Sequence, residues 1–422
     1  MLCSMNFKAP FIFKMILAIL SLLHIGCSKK EVIPTGLQET GTIGSEQYVA
    51  VYLYPELGIS LEITSPREGN PALLAPGEVE ISITYFSAAR ENPENCGFYL
   101  SEDMNGLDNA IPLETVSSTE CDEHGLCSAV LVSSVGLEGG RLYTLCVDTG
   151  EEVVCRPRSV YFFDEVPNPL KIAHITDLHL GGIVNSSRTL GSFHDLMDAL
   201  EANRSEVDVI IVTGDIGHDG RAHQTRAFYE GLERITIPVI TCSGNHDYHE
   251  GNIVNYLQQI TPRLNHATRL GPYLIVALDS GPGKYSVEPM SMSNNSVGLW
   301  EDQISWFSDT LQGEGTSKIV FLHHPPYAFS GSVIGRRRKE FLRVSRNNNV
   351  SLILAGHTHL NEVYDFYGTG YGLSPRTGSS PKADRLPLTL TTARSTERIP
   401  GYRLIRMAPD GSFTYRFVQV HN

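Results

Sequence analysis

Ile237-Pro238-Val239-Ile240-Thr241-Cys242-Ser243-Gly244-Asn245-His246-Asp247 runs from an apolar stretch straight into an amide, an imidazole and a carboxylate. A surface loop needs only polar residues, and this one offers three groups able to hold a metal or move a proton. Four other apolar runs end in a similar way. Ile172–Thr176 leads to Asp177-Leu178-His179, and Val209–Thr213 to Gly214-Asp215. Ile319–Leu322 leads to His323-His324-Pro325-Pro326, and Leu352–Ala355 to Gly356-His357-Thr358-His359.

Between these runs the periodicity is helical: Phe193, Leu196, Met197 and Leu200 recur at helix spacing, as do Trp300, Ile304, Phe307 and Leu311. Buried strands alternating with amphipathic helices predict an α/β region from Lys171 onward. After Leu360 strands return, and Gly401–Met407, a turn at Ala408–Gly411 and Phe413–Val418 read as a hairpin at the edge of a second sheet. Ligands of open α/β sheets bind beyond the carboxyl ends of the strands, so the five exits would converge there. They bring Asp, His and Asn but no thiolate, a donor set suited to Zn, Mn or Fe. In extended backbone, residues two apart share a side, which would let Asp177 and His179, or His357 and His359, face the same ions. The glycines before Asp215, Asn245 and His357 allow close approach. Singly, each fragment has an ordinary reading, since Gly-Asp is an everyday turn and a histidine after a strand is commonly a hydrogen-bonded core residue. Five such fragments, in order, at five strand exits are not coincidence.

This ordered set, D-x-H, G-D, G-N-H-D, H and G-H-x-H, resembles the calcineurin-like metallophosphoesterase superfamily over Lys171 to the C-terminus. The His-His-Pro-Pro form is most similar to the cyclic-nucleotide and glycerophosphodiester phosphodiesterase branch. Purple acid phosphatases are less similar, because Ile216-Gly217-His218 follow Asp215 where those proteins carry a metal-binding tyrosine. The resemblance implies a four-layer α/β/β/α sandwich and two divalent metal ions (Mn, Fe or Zn). One ion would be held by Asp177, His179, Asp215 and His359. The other would be held by Asp215, Asn245, His323 and His357, with Asp215 bridging and His324 behind His323. His246 would be the catalytic imidazole that protonates the leaving oxygen, oriented by Asp247, while a metal-bound hydroxide attacks phosphorus. No ligand position of that family is missing, which argues against a dead enzyme.

Residues 31–165 have a different grammar. Val49–Leu53, Val79–Tyr85, Ser128–Val132, Arg141–Val147 and Ser159–Phe163 alternate or run apolar between turn residues, the pattern of a small all-β sandwich. It is similar to a fibronectin type III or immunoglobulin-like module, read as a spacer ahead of the 171–422 domain. Five of the eight cysteines lie here. Cys121 with Cys127 and Cys146 with Cys155 bracket turns and could close as staples, leaving one of the five over; zinc binding is the alternative.

The first 26 residues read as a signal peptide. Lys8 and Lys14 flank an apolar stretch too short to span a bilayer, Met15–Leu23. Leu23–Lys30 then resembles a bacterial lipoprotein signal with Cys27 as the acylated residue, although His24 stands where that pattern has Leu. The expectation is an exported, membrane-anchored lipoprotein facing the periplasm or outer membrane, with a conventional cleaved signal as the alternative.

The chain carries 47 acidic against 33 Lys and Arg side chains, a formal charge of −14. That balance argues against a nucleic-acid partner and leaves a small phosphoester substrate open. Arg336-Arg337-Arg338-Lys339 reads as a solvated helix start, or as a rim that attracts anions. The function expected is hydrolysis of small phosphodiesters or phosphomonoesters. The rivals are a surface-binding lipoprotein with a vestigial site and a nuclease of the same superfamily.

Overall fold

The computed structural model describes residues 49–420 apart from 50–52, 103–106, 108, 182–185, 282–296, 314, 332, 374–376 and 398. The signal segment and Cys27 lie outside the described residues, as does the middle of Val49–Leu53. The two ends of that run are helical and not extended. A short helical turn, Tyr54–Glu56, follows with Pro55 in its first positions.

Eight strands come next: β1 (Leu61–Ser65), β2 (Ala72–Leu74), β3 (Ile81–Ser87), β4 (Gly97–Ser101), β5 (Ile111–Thr119), β6 (Leu126–Ser133), β7 (Arg141–Asp148) and β8 (Val153–Phe162). They hydrogen-bond as one ladder in the order β1-β3-β6-β5-β4-β7-β8-β2. Its neighbours are antiparallel except β2 and β8. Alternate residues, among them Ile63, Ile81, Tyr85, Phe98, Leu131, Tyr143 and Leu145, meet in a single core. Disulfides join Cys121 to Cys127 and, between register partners on β7 and β8, Cys146 to Cys155. Cys96 is the leftover thiol.

The α/β region contains β9 (Leu170–Ile175), α1 (Ser186–Ala202), β10 (Val209–Thr213), α2 (Ala222–Leu232), β11 (Val239–Cys242), α3 (Ile253–Gln259), β12 (His266–Leu270) and β13 (Tyr273–Ala277). It continues with α4 (Glu301–Gln312), β14 (Ser317–Phe321), α5 (Arg338–Asn347), β15 (Val350–Ala355), β16 (Glu362–Tyr364), β17 (Gly370–Leu373), β18 (Thr377–Ser379), β19 (Leu388–Thr391), β20 (Gly401–Met407) and β21 (Phe413–Gln419). Two mixed sheets result, β11-β10-β9-β20-β21-β18 and β12-β13-β14-β15-β19-β16-β17. The β9-β10-β11 and β13-β14-β15-β19 cores are parallel.

Ile172, Val209, Ile211 and Ile240 of the first sheet pack against Ile275, Ile319, Phe321, Leu352 and Leu390 of the second. Leu274, Val276, Val320 and Ile353 point the other way, into Ile304, Phe307 and Leu311 of α4 and Phe341 of α5. On the first sheet Ile210 and Val212 are buried on the outer face, and α1 meets α2 through stacked Phe193 and Phe228. The layers run α/β/β/α.

Two expectations change. The β20–β21 hairpin forms, but β20 pairs with β9 inside the first sheet and is not at the edge of the second. The register that aligns Ile405 with Ile172 is non-local, and hairpin signals say nothing about it. Nor does the β region stand apart from the α/β region: Leu73, Ala75, Tyr161 and Phe163 belong to the same apolar core as Leu170, Ile172 and Ile240. Buried Arg67 donates to the carbonyls of Gln258 and Gln259 at the end of α3 (2.8 and 3.0 Å), and Thr241 N donates to Gly69 O at 2.9 Å.

Candidate metal centre

Parallel strands β9, β10, β11, β14 and β15 all end at one edge, and the structure brings Asp177, His179, Asp215, Asn245, His246, His323, His357 and His359 together there. The backbone route differs from the extended one expected. Asp177 (φ 52°), His179 (47°), Asp215 (53°), His357 (68°) and His359 (57°) are all left-handed. The loops turn at the functional residues themselves, and Asp and His are among the types that tolerate this region. Close approach does explain two glycines: a Cβ at Gly244 would strike the Asp215 backbone nitrogen, and one at Gly356 the Thr176 hydroxyl.

Each carboxylate has one oxygen occupied and one turned inward. Asp177 Oδ2 accepts from Thr176 Oγ1 (2.8 Å) and His357 N (2.9 Å). Its Oδ1 has no hydrogen-bond partner and lies 3.2 Å from His359 Nε2 and 3.8 Å from His179 Nε2. Asp215 Oδ1 accepts from His246 N at 2.8 Å. Its Oδ2 sits between His179 Nε2 (3.6 Å) and His323 Nε2 (3.3 Å). Asn245 Oδ1 lies 3.0 Å from His323 Nε2 and 2.9 Å from His357 Nδ1. Two overlapping donor groups share Asp215. One is Asp177, His179, Asp215 and His359, and the other is Asp215, Asn245, His323 and His357.

These residues fit divalent cations. Two fully buried carboxylates face imidazoles, neither pairs with a Lys or Arg among the described residues, and Asp177 Oδ1 is an orphaned buried oxygen. Such groups are costly unless a cation compensates them. Burial would raise both carboxyl pKa values, but the neighbouring histidines hold Asp177 and Asp215 below the ordinary range. Burial lowers His179 to about 3 and His357 to about 4, which keeps them as neutral, ligating imidazoles. For His323, burial alone would lower the value, but Asp215 outweighs it and raises it to about 9.

The supporting contacts are polar and buried. His323 Nδ1 is 2.7 Å from Thr213 O. His174 bridges Thr213 Oγ1 (2.9 Å) and Thr392 Oγ1 (2.7 Å). His324 stands behind His323 and His357, with Nδ1 on Ser280 Oγ at 2.8 Å.

Asp247 does not orient His246. Its carboxylate accepts from Gly244 N (2.8 Å) and Gly217 N (3.1 Å), tying the Asn245 loop to the Asp215 loop. His246 instead places Nδ1 2.6 Å from the His218 carbonyl. The 3-10 turn over His246–Gly251 sends these neighbouring side chains in different directions. His218 and His249 also lie beside His246, with ring centroids at 5.3 and 4.2 Å. Neither was singled out from the sequence, where each is one histidine in a polar loop. The Arg336–Lys339 run is a helix start: Arg337 pairs with Glu301 and Glu340, and Arg336 lies 3.4 Å over the Trp300 ring.

Residues 170–361 match the calcineurin-like phosphoesterase family. A 3′,5′-cyclic-nucleotide phosphodiesterase of Nostoc sp. is 26% identical over 267 residues, 60% of this chain and 93% of that protein. A 3′,5′-cyclic adenosine monophosphate phosphodiesterase of Haemophilus influenzae is 26% identical over 255 residues, 58% and 87% of the two chains. Among solved structures, purple acid phosphatase PPD1 from yellow lupin aligns with a TM-score of 0.45 at 12% identity, covering 80% of this chain and 72% of that one. The chain carries a calcineurin-like metallophosphoesterase domain, the domain of a metal-dependent phosphoric ester hydrolase. Its relatives from Nostoc and Haemophilus are named as cyclic-nucleotide phosphodiesterases.

Proposed function

We propose that the protein hydrolyses phosphodiester or phosphomonoester bonds of small substrates at a centre of two divalent cations. The observation that carries this reading is the inward-facing oxygen of Asp215, placed between His179 and His323 at the junction of the two donor groups. Asp177, His179, Asp215 and His359 would hold one ion; Asp215, Asn245, His323 and His357 would hold the other. When bound, such a pair activates water and offsets the charge that builds on phosphoryl oxygens.

His246 performs the proton transfer. Its Nδ1–H donates to the His218 carbonyl, so Nε2 is the atom free to deliver a proton to the leaving oxygen. Asp215 Oδ1 fixes the His246 backbone, and Asp247 fixes the loops on either side. The N-terminal signal reading supports an exported, lipid-anchored protein, and the two disulfides support export.

The test compares wild type with Asp215→Ala by elemental analysis and by turnover of bis(p-nitrophenyl) phosphate and p-nitrophenyl phosphate. Wild type should hold about two equivalents of metal and hydrolyse at least one ester, and the variant should lose both properties. Full metal occupancy in Asp215→Ala would overturn the shared-ligand reading.

A further inference from the structure

Arg394 occupies a place that the centre described above does not use. It follows β19 in Thr392-Ala393-Arg394-Ser395-Thr396, a segment stitched to both loops of the first donor group. On one side, Ser395 N donates to Thr176 O at 3.0 Å, and Thr176 N donates to Ser395 Oγ at 3.0 Å. Thr396 Oγ1 donates to Leu178 O at 2.8 Å. Asp177 and His179 are therefore bracketed by contacts from residues 395 and 396. On the other side, Ala393 N donates to Asn361 Oδ1 at 3.2 Å, and Thr391 Oγ1 donates to Leu360 O at 2.9 Å. These bonds hold the chain just after His359. Arg394 thus sits at the seam between the loop of Asp177 and His179 and the loop of His359.

The guanidinium in that seam is poorly partnered. Among the described residues its one hydrogen bond runs from Nε to Thr396 Oγ1, at 3.4 Å. Among the described residues no carboxylate lies within ion-pair distance of it. It is half-buried, and the Thr396 hydroxyl that it shares with Leu178 O ties it to the backbone between Asp177 and His179. That places it beside the first donor group, next to the loop of Asp177 and His179. His359 is the exposed member of that group, with 41% of its side chain open to solvent. A half-desolvated guanidinium beside a cation centre, lacking a carboxylate of its own, is stable when an anion joins it.

Only two of the seven residues assigned to the ions, Asp177 and Asp215, carry negative charge. Two divalent cations would leave positive charge over, and Arg394 adds more. A phosphodiester brings one negative charge, whereas a phosphomonoester above its second pKa of about 6 brings two. A planar guanidinium can also engage two phosphoryl oxygens at once.

We infer that Arg394 is a substrate-binding residue that contacts a phosphoryl oxygen over the Asp177–His179–His359 group and makes phosphomonoester dianions preferred substrates of this site. The inference rests on the function proposed above.

The experiment uses the metal-loaded full chain at pH 8, as wild type, Arg394→Gln and Arg394→Lys. Three quantities are measured: kcat/KM for p-nitrophenyl phosphate and for bis(p-nitrophenyl) phosphate, inorganic phosphate binding by calorimetry, and metal content. In Arg394→Gln the monoester-to-diester ratio of kcat/KM should fall about 10- to 100-fold, the size of a hydrogen bond to a charged group. Phosphate should bind at least about tenfold more weakly, with metal content unchanged. Arg394→Lys should recover part of both effects. An unchanged ratio, or a wild type that hydrolyses diesters and leaves monoesters intact, overturns the inference; loss of metal in Arg394→Gln shows a structural role and overturns it too. A wild type inactive on both esters defeats the proposed function instead. The phosphate arm then decides the inference alone: tighter binding by wild type than by Arg394→Gln supports it, and equal binding overturns it.

Discussion

Replacing Arg67 with alanine should destabilise the α/β domain from a residue that lies in the β region. Arg67 is 0% exposed. It donates to Glu68 Oε2 and Ile63 O, both at 3.1 Å, and to the Gln258 and Gln259 carbonyls at the end of α3. Burial alone would lower its pKa, but Glu68 and Glu62 hold it above the ordinary value, so it stays charged. Arg67→Ala strands Glu68 and leaves Glu62 with Arg156 alone. Removing one partner of a buried pair costs about 3–5 kcal/mol, and the emptied volume adds about 1 kcal/mol. At roughly 2 °C per kcal/mol for a chain of this size, the midpoint of thermal unfolding should fall by about 10 °C. The assay is circular dichroism melting at fixed metal concentration, with metal content measured in parallel. Arg67→Met with Glu68→Gln removes both charges while filling the space, and should recover at least half of the loss. A shift below about 2 °C would refute the reasoning. So would two separate transitions with the α/β one unmoved, because that would mean the two regions fold independently.

His246→Ala should keep both metal equivalents while kcat falls by about 10²–10⁴, the range of general acid catalysis. The loss should be largest for esters with poor leaving groups, and equal losses across a leaving-group series would remove His246 from the proton-transfer step. In the metal-free protein His323 has a pKa near 9, so it is protonated at pH 7 and must shed its proton to ligate. Calorimetric titration with Zn²⁺ in buffers of different ionisation enthalpy should show release of about one proton at pH 7, disappearing above pH 9. Because that pKa is raised on folding, protonated His323 stabilises the metal-free fold fully below about pH 6.5. That contribution is lost as pH rises through 9, so the metal-free melting midpoint should drop over this window. No buffer dependence at pH 7 would contradict the placement of His323 against Asp215.

The ligand loops were legible because two local signals coincide in them. Four- to six-residue runs such as Val209–Thr213 announce buried strands, and the residue types just beyond them announce chemistry. Other features carry no local signal. β5, Ile111–Thr119, is mostly exposed, so it lacks the apolar alternation that marks a strand. The partner of His246 is a backbone carbonyl, that of His218, and a carbonyl has no residue type to read. Asp247 invited the wrong assignment because adjacency in sequence suggested adjacency of side chains. Arg394 lies well over a hundred residues from Asp177, and only the pairing of Ser395 with Thr176 brings it to the centre.

The left-handed residues show how the fold and the proposed chemistry constrain each other. Asp177, His179, Asp215, His357 and His359 all have φ between 47° and 68°. In a non-glycine residue that conformation costs on the order of 1 kcal/mol or more, so five of them together represent several kcal/mol of local strain. Glycine would relieve the strain but could not ligate. Asp and His can do both, since their short polar side chains are among the types found in this region. The strain persists because the loops are over-determined: Asp177 Oδ2 takes two hydrogen bonds, Asp215 Oδ1 holds the His246 backbone, and Asp247 joins two loops. Each of these bonds uses a ligand's spare atom or a neighbour's carboxylate and leaves the inward-facing oxygens of Asp177 and Asp215 free. The same sharp turns that strain the backbone aim donors from five separate strands at a single volume, and a relaxed extended exit would carry alternate side chains away from it.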